Sequence, residues 1–289
     1  MIWTVPRWRR LLTPHAAMGA AYKTRTIDDL RIKDDRLRAA IEGTGHLLFD
    51  GGMGTMLQAA GMKAGALPEL LNFEEPQVIT DIQRQYVEAG CDVITANTFG
   101  ANAHKLDGAA TVADVFAAAA ACAREAGARY VAGDIGPIGA LLRPLGTLSF
   151  DEAYDLFAEE VRAGVDAGVD LFIIETMTDL AEIKAAVLAC RENSDLPVFA
   201  TMTFEEDGRT FLGTSPESPP SRLTPSAPTF GHQLQPRTGR APGTRRTYAH
   251  RYRQACYGAG QCRTPPCGRR RQHRLRYPSP RIRRGRRRA

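Results

Sequence analysis

The sequence predicts an α/β protein built on a parallel sheet. Three observations carry that expectation. Strand-like and helix-like segments alternate five times between about Asp28 and Ser218, and short apolar runs alternating with segments of helical period mark βα units. Each strand segment is apolar almost throughout, as in a sheet covered on both faces. Each also runs into polar or glycine residues, so chemistry is expected at the C-terminal ends of the strands. A (β/α)8 barrel and a doubly wound open sheet both satisfy this pattern.

The elements follow in order. Ile27–Ile41 reads as a helix rich in charge pairs. Leu47-Leu48-Phe49-Asp50 is a short buried strand ending in the glycine turn Gly51-Gly52-Met53-Gly54-Thr55. Pro76–Ala89 carries Val78, Ile79, Ile82, Tyr86 and Val87 on one helical stripe. Asp92–Ala96 is the second strand, ending at Asn97-Thr98-Phe99-Gly100, and Ala109–Ala126 an alanine-rich helix. Tyr130–Asp134 is the third strand and runs into Ile135-Gly136-Pro137. Ser149–Ala167 is a helix in which Ser149 and Glu152 have the spacing of a capping box. Asp170–Glu175 is the fourth strand, Asp179–Arg191 a helix, and Pro197–Phe204 the fifth strand.

Charge divides the chain. After Glu217 there is no Asp, Glu or Lys but there are nineteen Arg, so residues up to Ser218 carry a net −13 and the remainder +19, within an overall +6. Prolines at 219, 220, 225, 228, 236 and 242 and arginine clusters at 269–271, 283–284 and 286–288 accompany sparse, aperiodic apolar residues. Such a composition buries too little surface to offset the entropy of ordering, which predicts disorder. The expected organisation is an N-terminal extension over 1–27, a barrel-like domain over 28–218 and a disordered basic tail over 219–289. Tyr248, Tyr252 and Tyr277 among the arginines would give that tail non-specific affinity for nucleic acid. The absence of lysine argues against an evolved basic arm. The six cysteines, Cys91, Cys122, Cys190, Cys256, Cys262 and Cys267, lack the spacing of a secreted disulfide framework, so a reducing cytoplasm is the expected compartment. No apolar run reaches about 18 residues, so no membrane span is expected. Nothing in the sequence specifies an oligomeric state.

The strand-end motifs resemble those of the homocysteine S-methyltransferase family. Leu48-Phe49-Asp50-Gly51-Gly52-Met53-Gly54-Thr55 is similar to its opening motif and Ala96-Asn97-Thr98-Phe99-Gly100 to its second. Gly133-Asp134-Ile135-Gly136-Pro137, Ile173-Ile174-Glu175-Thr176 and Thr201-Met202-Thr203-Phe204 to Gly213-Thr214 resemble the next three, in order. The nearest likeness within the family is the homocysteine-binding domain of cobalamin-dependent methionine synthase. The resemblance implies an incomplete (β/α)8 TIM barrel of about five β/α units. It also implies methyl transfer to homocysteine sulfur, giving methionine. By the same resemblance Asp50, Gly51 and Glu175 form the amino-acid end of the site, and Asn97, Thr98 and Asp134 line the same mouth. An acid at a strand end suits an ammonium group, and the N–H groups of a glycine turn suit a carboxylate. Read without the resemblance, Asp50 is also a turn former, Asn97 and Asp134 also caps or turn formers, and Glu175 also a solvated acid.

The family binds homocysteine to zinc held by three cysteine thiolates, which favours the substrate thiolate. Motifs that would carry those ligands are missing here, as are cobalamin and folate domains. Cys91, Cys122 and Cys190 read as small core residues. The tail itself offers an explanation. Back-translated with a free choice of synonymous codons and read one nucleotide later, Gly231–Thr238 can give Gly-Ile-Asn-Cys-Ser-Leu-Gly, a motif of the missing kind. Ser218–Thr229 yields a helix-like sequence at a different offset. Residues from about 219 onward are therefore expected to be translated out of frame, and the chain to be an inactive fragment of its family. The alternative is a non-catalytic protein whose arginine-rich tail binds nucleic acid.

Overall fold

A computed structural model describes residues 2–4, 26–63, 65–205, 208–214 and 229–234. Near the N-terminus, within the stretch expected as a loose extension, β1 (Ile2–Thr4) is a short strand. The expected helix over 27–41 is broken in two. Ile27–Asp29 forms a single 3-10 turn, and α1 (Asp35–Ile41) begins only after Asp34, whose carboxylate accepts the Leu37 N–H at 2.9 Å. Two features stop one continuous helix. Asp34 caps better than it continues a helix, and the Arg31 N–H is drawn away to the Asp195 carbonyl at 2.8 Å.

The other elements lie close to the sequence pattern. They run β2 (His46–Leu48), α2 (Met53–Ala60), α3 (Leu71–Glu74), α4 (Pro76–Glu88), β3 (Val93–Thr95), α5 (Ala103–Leu106) and α6 (Val112–Glu125). Then come β4 (Tyr130–Ile135), α7 (Phe150–Asp166), β5 (Leu171–Met177), α8 (Leu180–Asn193) and β6 (Val198–Phe204). Pro76 opens α4, where its missing N–H costs nothing. Thr111 caps α6 through the Asp114 N–H, which delays that helix beyond the expected Ala109. The capping box at α7 is present in both directions: the Glu152 N–H donates to Ser149 Oγ at 3.2 Å and the Ser149 N–H to Glu152 Oε2 at 2.7 Å.

One expectation is corrected. Within the tail predicted to be disordered, β7 (Thr229–Leu234) pairs in parallel with β6, from Phe199 opposite Thr229 to Phe204 opposite Leu234. The edge of β6 exposes unpaired amides and carbonyls, and an extended segment satisfies them whatever its composition. The rest of the tail, including Cys256, Cys262, Cys267 and the three tyrosines, lies outside the described residues.

The sheet order is β3-β4-β5-β6-β7, all parallel. At the β3 edge, β2 adds through a bridge between Phe49 and Val93, with the Asp50 N–H donating to the Val93 carbonyl at 3.1 Å and the Asp92 N–H to the Leu48 carbonyl at 2.7 Å. β1 pairs antiparallel with β2. The strand order is sequential. A doubly wound sheet reverses its order at a switch point, so among the described residues the wall has the order of a (β/α) barrel.

Alternation along the strands separates two apolar layers. Ile94, Val131, Ile135, Phe172, Ile174, Val198, Ala200 and Met202 face outward onto helices α6, α7 and α8. Leu47, Phe49, Val93, Tyr130, Ala132, Leu171, Ile173 and Phe199 face inward, where Leu37, Ala40 and Ile41 of α1 plug the end at which the strands begin. Ion pairs hold the plug: Lys33 with Asp170 at 3.0 Å, Arg129 with Asp34 at 3.2 Å, and Arg36 with Asp92. Asp92 and Asp170 also bond across strands, accepting the Leu48 N–H at 3.0 Å and the Val131 N–H at 2.8 Å.

Helix α7 approaches the sheet closely because Gly133 and Gly164 leave room for Phe172. A Cβ on Gly164 would lie 2.6 Å from Phe172 Cε1, and one on Gly133 would lie 2.9 Å from the same ring. Alanine is favoured over glycine inside a helix by about 1 kcal/mol, but overpacking a core costs about 1–3 kcal/mol. Gly164→Ala is therefore expected to lower stability in urea denaturation. A variant more stable than the parent would show that the helix and sheet can separate without cost.

Candidate functional site

Inward-facing positions at the strand ends carry polar residues. Asp50 follows β2, Thr95 ends β3, Asp134 lies near the end of β4, Glu175 sits on β5, and Thr201 and Thr203 lie on β6. Asp50 is tied to its neighbour, accepting the Thr95 N–H at 2.9 Å and the Thr95 hydroxyl at 3.1 Å. Asp134 is tied through its backbone: its N–H donates to Thr98 Oγ1 at 3.0 Å, and the Thr98 hydroxyl donates to the Asp134 carbonyl at 2.8 Å.

Glu175 faces inward by the same alternation as Leu171 and Ile173, and a bulge follows it. Ile174 and Met177 both face the outer core although three residues separate them, and strict alternation forbids that. They pair with Ala200 and Met202, so β5 carries one residue more than β6 in this stretch. Thr176 takes up the difference with φ +62°, a conformation disfavoured for a β-branched residue and costing about 1–3 kcal/mol. The backbone is strained just after the acid, where the bulge turns Met177 back to the outer core.

The three acids perturb one another. Burial pushes Asp50 up to about 7, with the Glu175 carboxylate adding to the rise and the Thr95 hydrogen bonds opposing it. Asp134 rises well above the carboxylate range, first through burial and then through the fields of Glu175, Asp50, Glu69 and Glu160. Burial raises Glu175 as well. Behind this mouth lies a second set of buried acids. Glu69 accepts the Gly100 N–H at 2.6 Å and Glu182 the Ile138 N–H at 2.8 Å, whereas both oxygens of Glu160 lack a partner. Lys105 Nζ rests 5.1 Å from the Phe99 ring centroid.

The structure brings Asp50, Gly51, Asp134 and Glu175 together and gives two other expected residues a different task. Asn97 is buried, and its Nδ2 donates to the Pro68 carbonyl at 2.7 Å and to Asn72 Oδ1 at 3.2 Å. Thr98 is fully buried with its hydroxyl on the Asp134 backbone. Both therefore hold the wall instead of facing its opening. Gly51 is exposed in the turn before α2, and a Cβ there would come within 2.9 Å of Tyr86 Oη. The first turn of α2 has no side-chain cap and no acidic residue, so its N–H groups are open to an anion. Glu69, Glu160 and Glu182 were not legible in the sequence: Glu69 lies in an aperiodic connection, and the other two look like ordinary polar positions of amphipathic helices. The Thr176 bulge has no sequence signal either.

Among the described residues no three His, Cys, Asp or Glu are grouped to hold a metal ion. The described cysteines are dispersed. Cys91 precedes β3 and its thiol donates to the Phe49 carbonyl at 3.6 Å, Cys122 packs inside α6 against the Pro76 carbonyl at 3.8 Å, and Cys190 is fully buried in α8. Of the three, the Cys91 thiol comes near Asp50, and a single thiol does not fit a three-thiolate metal centre. No helix of the described residues is long and apolar enough to cross a membrane.

Residues 47–229 match the family model described as homocysteine S-methyltransferase. The chain belongs to this family. It is 37% identical over 190 residues to methionine synthase of Mycobacterium tuberculosis, covering 58% of this chain and 16% of that protein. It is 34% identical to the enzyme of Mycobacterium leprae over an equal span. The chain thus spans under a fifth of the length of these relatives. Among solved structures it is similar to the homocysteine methyltransferase MmuM from Escherichia coli. The metallated form aligns with TM-score 0.57 at 21% identity over 64% of this chain and 74% of that one. The oxidized form aligns with TM-score 0.60 at 21% identity over 69% and 77%. That likeness is one of fold and agrees with the sequential parallel wall.

The buried acids give stability a defined pH dependence. A carboxyl that titrates higher folded than unfolded contributes stability that is complete below its unfolded value and is lost as pH rises through its folded value. For Asp50 that window runs from 3.8 to about 7. The melting temperature is expected to fall between about pH 5 and about pH 8, and Asp50→Asn to reduce that fall. A melting temperature independent of pH over this range would mean that the carboxyls are not held together in the folded chain.

Proposed function

We propose that this domain provides the amino-acid-binding half of a homocysteine S-methyltransferase site, of the methionine synthase type. The observation that carries this reading is the convergence of Asp50, Asp134 and Glu175 beside the uncapped start of α2. The acids suit the ammonium of homocysteine, and the N–H groups around Gly51 and Gly52 suit its carboxylate. With both ends so held, the sulfur arm is left to extend across the mouth. Asn97 and Thr98 support the wall that positions these groups.

In this family zinc would supply activation of the homocysteine thiol. The described residues offer no set of thiolates at the mouth to hold it. We infer that the polypeptide binds the amino acid without turning it over, and that residues from about 219 onward are read out of frame. The methylating partner chemistry belongs to the remaining length of the larger relatives. The free thiols of Cys91, Cys122 and Cys190 suit a reducing cytoplasm.

Binding and chemistry are separable by experiment. Glu175→Gln is expected to weaken homocysteine binding by about 10- to 100-fold, the loss for a hydrogen bond to a charged group; unchanged affinity would remove Glu175 from the site. Zinc analysis of the purified chain is expected to give far less than one equivalent, with no methionine formed from homocysteine. One tightly held zinc together with turnover would show that Cys256, Cys262, Cys267 or the internal thiols build a site, and would overturn the inactive reading. The nucleotide sequence of the gene is expected to hold a family-like continuation in another frame beyond the codon for Ser218.

A further inference from the structure

Asp134 carries an unsatisfied oxygen at the mouth. Its side chain is 6% exposed, and Oδ1 is enclosed without a hydrogen-bond partner. The Thr98 clamp holds its backbone in place.

Its surroundings are acidic or neutral. The end of β2 supplies Asp50, β5 supplies Glu175, the Pro68–Leu70 turn supplies Glu69, and α7 supplies Glu160. Strand β3 presents Thr95, and β6 presents Thr201 and Thr203, with Thr203 Oγ1 also enclosed and unpartnered. Near Asp50 lie the Cys91 thiol and the turn at Gly51, against which Tyr86 packs. Lys105 of α5 acts on Glu160 and Glu182. Among the described residues none of the ion pairs includes Asp50, Asp134 or Glu175.

Strands β4 and β5 are adjacent and lie about 5 Å apart, so Asp134 and Glu175 are neighbours, while Asp50 lies beyond β3 and still acts on Asp134 through its field. Like charges at such a distance do not all ionise. A cation brought by a ligand changes that balance.

We propose that Asp134 is a third ligand-binding acid of this pocket, that the empty pocket keeps one proton shared among Asp50, Asp134 and Glu175, and that entry of a primary ammonium group expels it. This deepens the amino-acid reading above and rests on it. In the exchange one carboxyl O–H bond breaks and its proton passes to the buffer. The ammonium keeps its own three protons, and the pocket becomes one charge more negative as the cation enters. Binding therefore tightens as pH rises, by up to tenfold per unit where one proton leaves per ligand.

The test uses L-methionine, because a thiol would release a proton of its own. Calorimetric titration of the full chain near pH 6.5, roughly the middle of the expected window, is run in two buffers of different ionisation enthalpy. The expected result is release approaching one proton per methionine, and less than half of that in Asp134→Asn. The analogue 4-(methylthio)butanoate, which lacks the amino group, is expected not to bind. Methionine binding with equal heats in both buffers overturns the proposal, as does unchanged proton release in Asp134→Asn. If that variant does not fold, the pH dependence of methionine affinity in the unmodified chain decides, and a flat profile overturns the proposal. No binding of methionine between about pH 5 and about pH 8 is a separate outcome, which rejects the amino-acid reading itself.

Discussion

The bonds from Asp50 to the amide and hydroxyl of Thr95 set the terms for the rest of the site. They join the end of β2 to the end of β3 and turn a carboxyl into the half-buried mouth, where water no longer stabilises its charge. Two aspartates do comparable work at the opposite rim: Asp92 and Asp170 each accept an amide of the neighbouring strand. There the partners Arg36, Lys33 and Arg124 supply positive charge. At the mouth no such cation is present among the described residues. One rim is neutralised for stability, and the other is left acidic, able to meet a cation from outside.

The wall behind the mouth explains how an acidic cluster can be held in place. Phe172 fills the space left by Gly133 and Gly164, which locks α7 against β4 and β5. With the outer face of β5 fixed through Ile174 and Met177, the extra residue between them is taken up by a bulge. Glu175 and the strained Thr176 lie in that bulge. Strain of this kind persists only where the surroundings over-determine the backbone, and here the packing on the far side of the sheet supplies that constraint.

Family membership and this geometry address different parts of the molecule. The match over residues 47–229 covers all the strand ends that bear acids. The described thiols form no group there: Cys122 and Cys190 lie in the helical layer, and Cys91 alone comes near Asp50. The acids at the mouth are therefore carried by the strands from β2 to β5.

The sequence by itself determined the order and kind of nearly all elements in the wall, because parallel βα units write two clear periods into the chain and caps such as Ser149 with Glu152 act through neighbours only. It also singled out Asp50, Gly51, Asp134 and Glu175, since strand-end motifs are local. It erred where distant contacts decide. Asp195 and the Asp34 cap break the helix expected over 27–41, and the open edge of β6 recruits Thr229–Leu234 from a stretch with no strand pattern. It could not distinguish Asn97 and Thr98, which brace the wall, from the acids that face the opening, because the same motifs carry both. Only the tertiary structure decided that sequential order places the strand ends side by side, that one extra residue in β5 returns Met177 to the outer core, and that Asp134 is enclosed with an oxygen unpaired. Those are consequences of register and burial, which arise between segments far apart in the chain and leave no trace in either one alone.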